Sequence, residues 1–510
     1  MNVERSDETK QDKVPISLAG KLSFGVGTVG EAIFGGLFGG FIMIFYNQAI
    51  GLSNTLIGTA VMLALIGDAI SDPVIGIISD RWRSKYGRRH PFLIAAPIPM
   101  VLSIYCIFNP PEALTAGAEG PTQMGLFAWL CVWTILSRVF LTLYHVPHLA
   151  LGGEMSKDQH TRSQLFGFNT FFSFGTLAIF SFAAFRVFFA GERVRESDGE
   201  LVPGHLDAAA YDPLIFTAAV IILFAIWTSA AGTWRYIPNL SAPASNAQRL
   251  SPITLLKFVM GTLNNRNYLV IVIGYFFFML TSGIFDTVEL FLFTYYWELI
   301  PEQIGWMRLV GAPSAMGGAL LAPILMQNFD RKPVMMYSIA GAVIFAQLAV
   351  DMRLLGLMVG NDSPALLPIL LIMRAGFAGS LGVITVVTLS MIGDIIDENE
   401  LRTGNREEGL YYSARAFFAK ASNSFGIFFA GILLDTYIRM PTGAIPGELE
   451  SDILLRLGIV AGPVMAMAAV IAVFIYSKYD LNRERHQEIT SLLQQKRQSG
   501  EQGGLAEASP

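Results

Sequence analysis

Apolar stretches of about 20 residues or more recur along this chain, each followed by a short polar segment that carries most of the local charge. They fall at 20–50, 54–80, 91–109, 123–150, 163–190, 213–236, 267–298, 303–327, 333–353, 365–394, 408–438 and 453–479. A helix rises about 1.5 Å per residue, so roughly 20 residues cross the ~30 Å hydrocarbon layer of a bilayer. The pattern therefore predicts twelve membrane-spanning helices and an all-α membrane protein. Loop charges give the orientation, because Lys and Arg favour the cytoplasmic side. Arg81, Arg83, Lys85, Arg88 and Arg89 follow the second stretch, and Arg249, Lys257 and Arg266 follow the sixth. By contrast, the segment after the fifth stretch holds six acids against two arginines. Both termini are then expected in the cytoplasm, and the five basic residues at 81–89 are accounted for by orientation alone.

Composition agrees with a lipid environment: 53% of the 510 residues are hydrophobic, 15% are charged, and mean hydropathy is +0.50. A soluble core cannot hide that much apolar surface. The first twenty residues lack the apolar stretch of a signal peptide, so 1–19 is expected to be a cytoplasmic tail. The segment 237–265 divides the spans into two groups of six, giving an N-terminal half at 20–236 and a C-terminal half at 266–480. Residues 481–510 read as a short polar helix followed by disorder, again cytoplasmic. Faint repeats link the halves. Asp80-Arg81 recurs as Asp330-Arg331, and the acid- and base-rich loop GGEMSKDQHTRSQLFGFNTFF has a counterpart in GDIIDENELRTGNREEGLYYSARAFF. Repeats of this kind suit a solute site between two halves that rock against each other.

Two motifs invite a wrong reading. Gly25, Gly27 and Gly30 spell GxGxxG, but inside an apolar run with no preceding strand they form a small-residue helix face, not a nucleotide loop. His145 and His148 lack the further ligands that a transition-metal site needs. The informative residues are charges inside the spans, where each costs at least ~2.5–3.5 kcal/mol unless a partner or water-filled cavity receives it. Asp68 and Asp72 stand one turn apart on the second span, with Ser71 beside them. Carboxylates at i and i+4 lie about 5–6 Å apart at Cβ and repel unless a cation, a proton or a base from another helix sits between them. Arg138, Thr142 and His145 share one face of the fourth span. Glu31, Asp286, Glu289, Arg374 and Lys420 complete the inventory, each readable as an interhelical ion pair or a solute contact. Pro73 and Pro147 interrupt their spans and free a backbone carbonyl one turn earlier.

These residues lie in runs that resemble the glycoside–pentoside–hexuronide:cation symporter family: KLSFGVGTVG in the first span, GDAISDPVIGIISDRWRSKYGRRHPF across the second, and GDIIDENELRTGNREEGLYYSARAFFAKASNSFG across the tenth and eleventh. The resemblance implies a major-facilitator fold. It also implies a cation site at Asp68 and Asp72, taking Na⁺, Li⁺ or H⁺, with Ser71 and Thr142 as supporting ligands and Lys420 as a neighbour. Departures fall on the sugar side, where Ala32, His145, Leu149 and Thr170 replace the family's acidic, aromatic and basic positions. The run YHVPHLAL is similar to sodium-dependent lysophosphatidylcholine symporters.

The expectation is a cation-coupled symporter, not an enzyme, with no cofactor beyond its Na⁺ or H⁺. Asp68, Ser71, Asp72 and Thr142 would hold the cation, as a Na⁺ site at Asp68 and Asp72 if sodium is used, and Glu31, Arg138, His145, Asp286 and Lys420 would contact the solute. A sugar or glycoside is the first choice of solute, an anionic one being suggested by Arg138, His145 and Lys420, and a lysophospholipid-like amphiphile the second. A membrane sensor or scaffold on a transporter fold is the rival from another class. The partners expected are the solute, the cation and the bilayer of the cell's inner or plasma membrane, with no nucleic acid and a monomeric state.

Overall fold

The computed structural model describes residues 15–115, 122–156, 158–195, 198–240, 260–405 and 407–507. Most of the N-terminal tail and of the 237–265 segment, including Arg249 and Lys257, lies outside them. Twelve helices among the described residues are long and apolar enough to cross a bilayer: α1 (Leu18–Ile50), α2 (Asn54–Arg81), α3 (His90–Thr115), α4 (Gln123–Met155), α5 (Gln159–Phe188), α6 (Ala208–Pro238), α7 (Arg266–Tyr296), α8 (Pro301–Asn328), α9 (Arg331–Leu354), α10 (Leu366–Thr403), α11 (Glu408–Ile438) and α12 (Ser451–Tyr476). A small hairpin of β1 (Glu192–Val194) and β2 (Leu201–Pro203) joins α5 to α6.

Equivalent helices of the two halves carry the same local features. The last turns of α1, α5, α7 and α11 all widen into π-helix, at Phe45–Ile50, Ala184–Phe188, Leu292–Tyr296 and Leu433–Ile438. At the other end, Arg89 at the start of α3 pairs with Glu154 near the end of α4 at 2.6 Å, and Arg331 at the start of α9 pairs with Asp394 on α10 at 3.1 Å. Arg88 also reaches Glu154, at 2.7 Å. Arg88 and Arg89 therefore do more than orient the chain: with Arg89 only 3% exposed, they clamp the α2–α3 loop onto α4.

Close helix contact depends on glycine at a few places. At Gly283 of α7, a Cβ would lie 2.6 Å from the Asn423 carbonyl oxygen of α11, and at Gly431 of α11 it would lie 2.3 Å from the Asn54 carbonyl oxygen of α2. Without side chains there, the backbones pack directly.

Hydrogen bonds between the halves cluster at the π-helical end. The carboxylate of Asp435 on α11 accepts from Ser53 Oγ (2.6 Å), Asn54 N (3.2 Å), Asn54 Nδ2 (2.9 Å) and Thr55 N (2.7 Å). Ser53, the N-cap residue of α2, makes no side-chain cap of its own, so the other half supplies the acceptor that the exposed backbone N–H groups need. Gln48 adds bonds to Tyr295, Pro441 and Ala444, and Arg195 donates to the Gly443 carbonyl at 2.8 Å. This end is sealed. Deeper in, the side chains of Asp72 and Lys420 keep 34% and 46% exposure, so the space between the halves is reached from the opposite end.

The C-terminal segment differs from expectation. Instead of a short helix, α13 (Arg483–Glu507) runs 25 residues. Its first turns dock on the C-terminal half: Arg483 donates to the Met326 and Gln327 carbonyls, and His486 lies 3.1 Å from Asp397 and 3.4 Å from Asp394.

Candidate transport site

Two walls face each other across the interior. The first is built from α1, α2 and α4 of the N-terminal half, with one residue from α11. Arg138 Nη1 donates to Asp68 Oδ2 at 3.4 Å, and Asp68 is almost fully buried. One turn further along α2, Asp72 accepts from Thr142 Oγ1 at 2.8 Å and from Lys420 Nζ at 2.9 Å. Ser71 Oγ sits 3.5 Å from Thr142 Oγ1. The i, i+4 spacing on α2 thus meets the i, i+4 spacing of Arg138 and Thr142 on α4, rung against rung. Two acids and two bases neutralise one another there, with Asp72 and Lys420 on the accessible side.

Glu31 of α1 forms a separate group. His145 Nδ1 lies 2.9 Å from Glu31 Oε2, and His148 Nδ1 lies 3.6 Å from Glu31 Oε1. His148 is fully buried and donates through Nε2 to the Phe24 carbonyl at 3.1 Å, which fixes the ring, as does stacking between Phe24 and Tyr144.

The second wall comes from α7, α8 and α10. Glu289, 1% exposed, accepts from Arg308 Nη1 at 2.7 Å and from Arg374 Nη1. Asp286 lies one turn back on α7 and opens on a cavity of about 330 Å³ with both arginines and the glycine face of α1. Gly35, Gly39 and Gly40 on that face meet open space.

Of the nine residues assigned to cation or solute from sequence, Glu31, Asp68, Ser71, Asp72, Arg138, Thr142, His145 and Lys420 therefore share the first wall, and Asp286 stands on the second with Glu289 and Arg374. Arg138, His145 and Lys420, whose charges suggested an anionic solute, are each already paired with a carboxylate. Sequence reasoning left out Arg308. It lies close to the start of its span, where a long basic side chain is expected to snorkel to the interface, and packing turns it inward onto Glu289.

Twelve such helices among the described residues, in two halves sealed together at one end around a charged interior, form a multi-pass membrane protein of the major facilitator fold. The chain belongs to the MFS/sugar transport protein family, whose pattern it matches over residues 23–483. A putative glycoside/cation symporter of Escherichia coli is 23% identical, over 88% of this chain and 89% of that one. Sodium-dependent lysophosphatidylcholine symporter 1-A of Danio rerio is 22% identical, over 95% and 90%. Among solved structures, the nucleoside transporter NupG superposes with a TM-score of 0.58 at 13% identity, covering 91% of this chain and all of that one.

Proposed function

We propose that this chain is a symporter in which Na⁺ or H⁺, held at Asp68 and Asp72, drives accumulation of a sugar or glycoside by alternating access. The observation that carries the reading is the carboxylate pair on α2 whose more exposed member, Asp72, is neutralised by Lys420 of the other half, 2.9 Å away. While the site holds no cation, the ammonium ties α11 to α2. A cation that takes its place shares the charge of Asp72 and loosens that tie, so occupancy and the relation of the halves are linked. Ser71 and Thr142 contribute neutral oxygens, and Glu31, Arg138, His145, Asp286 and Lys420 lie along the path of the solute.

In this reading, residues 20–236 and 266–480 rock as units, and both termini face the cytoplasm of a cell whose inner or plasma membrane holds the protein as a monomer. The sealed end is then the outer face and the cavity opens inward. The chain carries out no covalent chemistry. The glycoside/cation relative supports a sugar. A lysophospholipid is a second reading, supported by the Danio rerio relative and by Phe174, Leu177, Phe377 and Leu381 on the cavity wall.

The test is uptake into proteoliposomes of a panel of labelled neutral sugars, acidic sugars and lysophosphatidylcholine, with and without inward Na⁺ and H⁺ gradients. Gradient-dependent accumulation of one class is expected. Accumulation that ignores both gradients refutes the coupling.

A further inference from the structure

The charges of the two walls do not balance alike. On the second, Asp286 and Glu289 face Arg308 and Arg374, acids matched by permanent cations. On the first, Arg138 answers Asp68 and Lys420 answers Asp72, which leaves the remaining carboxylate, Glu31, facing only histidines. With both of those rings neutral, the wall keeps a net negative charge inside the membrane, where an uncompensated charge is costly. A single proton removes it.

The geometry of His148 shows where that proton sits. His148 Nε2 lies 3.1 Å from the Phe24 carbonyl oxygen. A carbonyl only accepts, so Nε2 carries a hydrogen, and in the neutral ring Nδ1 is then a bare acceptor. That Nδ1 faces Glu31 Oε1 at 3.6 Å, and neither atom has a hydrogen-bond partner among the described residues. Two buried acceptors face to face repel, whereas one proton between them makes a charge-assisted hydrogen bond. The His148 ring is also sandwiched by Phe24 and Tyr144, with centroids 4.6 Å and 5.1 Å away, and aromatic faces favour a cation between them.

We infer that Glu31 and His148 form a proton-binding site separate from the cation site at Asp68 and Asp72, and that His145 connects it to the cavity. The side chain of His145 is 35% exposed and holds Nδ1 2.9 Å from Glu31 Oε2, while His148 is fully buried behind it. A proton from cavity water binds the His145 imidazole, passes to Glu31 and is held at His148 Nδ1; it leaves by the reverse path, returning to water. The charged groups around this relay are already matched. Asp68, Asp72, Arg138 and Lys420 stand on the cavity side of His145 in their own pairs, and Asp286 of α7 is answered by the arginines of the second wall. What α5 and α6 bring against α1 here is neutral: Asn169 on Thr28, and Ser229 beside Gly27. The inference goes beyond the symport reading, because this site takes H⁺ whichever ion Asp68 and Asp72 hold. Filled, it leaves the first wall neutral; emptied, it leaves Glu31 uncompensated.

The test is solid-state nitrogen NMR of the full chain, isotope-labelled at histidine and reconstituted in liposomes. Spectra are taken from about pH 5 to 8, the range in which histidine changes charge, with and without saturating NaCl. His148→Gln identifies the His148 signals, and size-exclusion profiles check the folding of every variant. As pH rises, wild-type His148 should pass from a ring protonated on both nitrogens to one protonated on Nε2 alone, with or without NaCl and equally in Asp72→Asn. Glu31→Gln should lose the doubly protonated form throughout the range. In His145→Gln both forms should occur but interconvert about a hundredfold more slowly, the scale of a lost proton-transfer group. A wild-type His148 that keeps one form at every pH overturns the site and makes the contact a fixed structural one. A doubly protonated form that persists in folded Glu31→Gln also overturns it. Loss of that form on adding NaCl, or in Asp72→Asn, overturns the separation of the two ion sites. Unchanged interconversion in His145→Gln overturns the relay. Neither solute nor ion gradient enters these measurements, so failure of the symport reading in the uptake assay leaves their outcome untouched.

Discussion

Replacing Asp435 with alanine should unseal the π-helical end of the bundle. This carboxylate accepts four hydrogen bonds from Ser53, Asn54 and Thr55, two of them from backbone N–H groups in the first turn of α2. Removing an N-cap acceptor costs about 1 kcal/mol, and each further bond to a charged acceptor at a half-buried site adds about as much once water has competed for the donors. The sealed state should then lose about 2–3 kcal/mol relative to states in which α2 and α11 have parted, a shift of about 30- to 150-fold in their ratio. Asp435→Asn keeps the shape and one acceptor oxygen and should lose about half of that free energy. The assay is thiol labelling of a cysteine placed at Thr59, one turn beyond Thr55, in a background where Cys106 and Cys131 are serine. Labelling by a membrane-impermeant reagent from the sealed side should accelerate at least tenfold in Asp435→Ala, less in Asp435→Asn, and least in Ser53→Ala, which removes one contact. A folded Asp435→Ala protein that labels within twofold of its parent would refute the idea that a cap supplied across the interface holds this end shut.

Three other outcomes are expected. Asp72→Asn should lose gradient-driven accumulation while downhill exchange of solute survives, because the variant keeps the Thr142 contact but removes the charge that answers Lys420; undiminished accumulation measured in the same vesicles would sink the coupling scheme. Cysteines introduced between 198 and 201, which are exposed, should react with impermeant reagents in intact cells, and those between 82 and 86 only after permeabilisation; reaction of both sets from one side would overturn the orientation. His486→Ala should release the first turns of α13 from Asp394 and Asp397, raising hydrogen exchange at 483–493 about tenfold, as expected for loss of about 1–1.5 kcal/mol of local stability.

The number and order of the membrane helices were legible in the sequence because hydropathy is a local property: a stretch apolar enough to leave water does so whatever its neighbours are. The tenth helix overran its expected end at 394 to reach Thr403, since polar residues that lower hydropathy still continue a helix when α13 and the loops receive their charges. The carboxylate pair on α2 was legible for a related reason. Two acids one turn apart inside an apolar run demand an explanation before any fold is known, and the rungs to Arg138 and Thr142 follow from matching periodicities on α2 and α4.

Which base answers which acid was decided only by tertiary structure. Arg308 and Arg374 come from helices more than 60 residues apart in sequence, and both meet Glu289 of a third helix because α7, α8 and α10 turn those faces inward. Asp435 is 380 residues from Thr55, and nothing in the local pattern of either segment marks one as the cap of the other. Hydrophobicity places a helix in the membrane and says little of its rotation about its own axis. Rotation is fixed by packing against neighbours, through glycines such as Gly283 and Gly431, and it is rotation that turns a charge toward lipid, toward a partner or toward the solute.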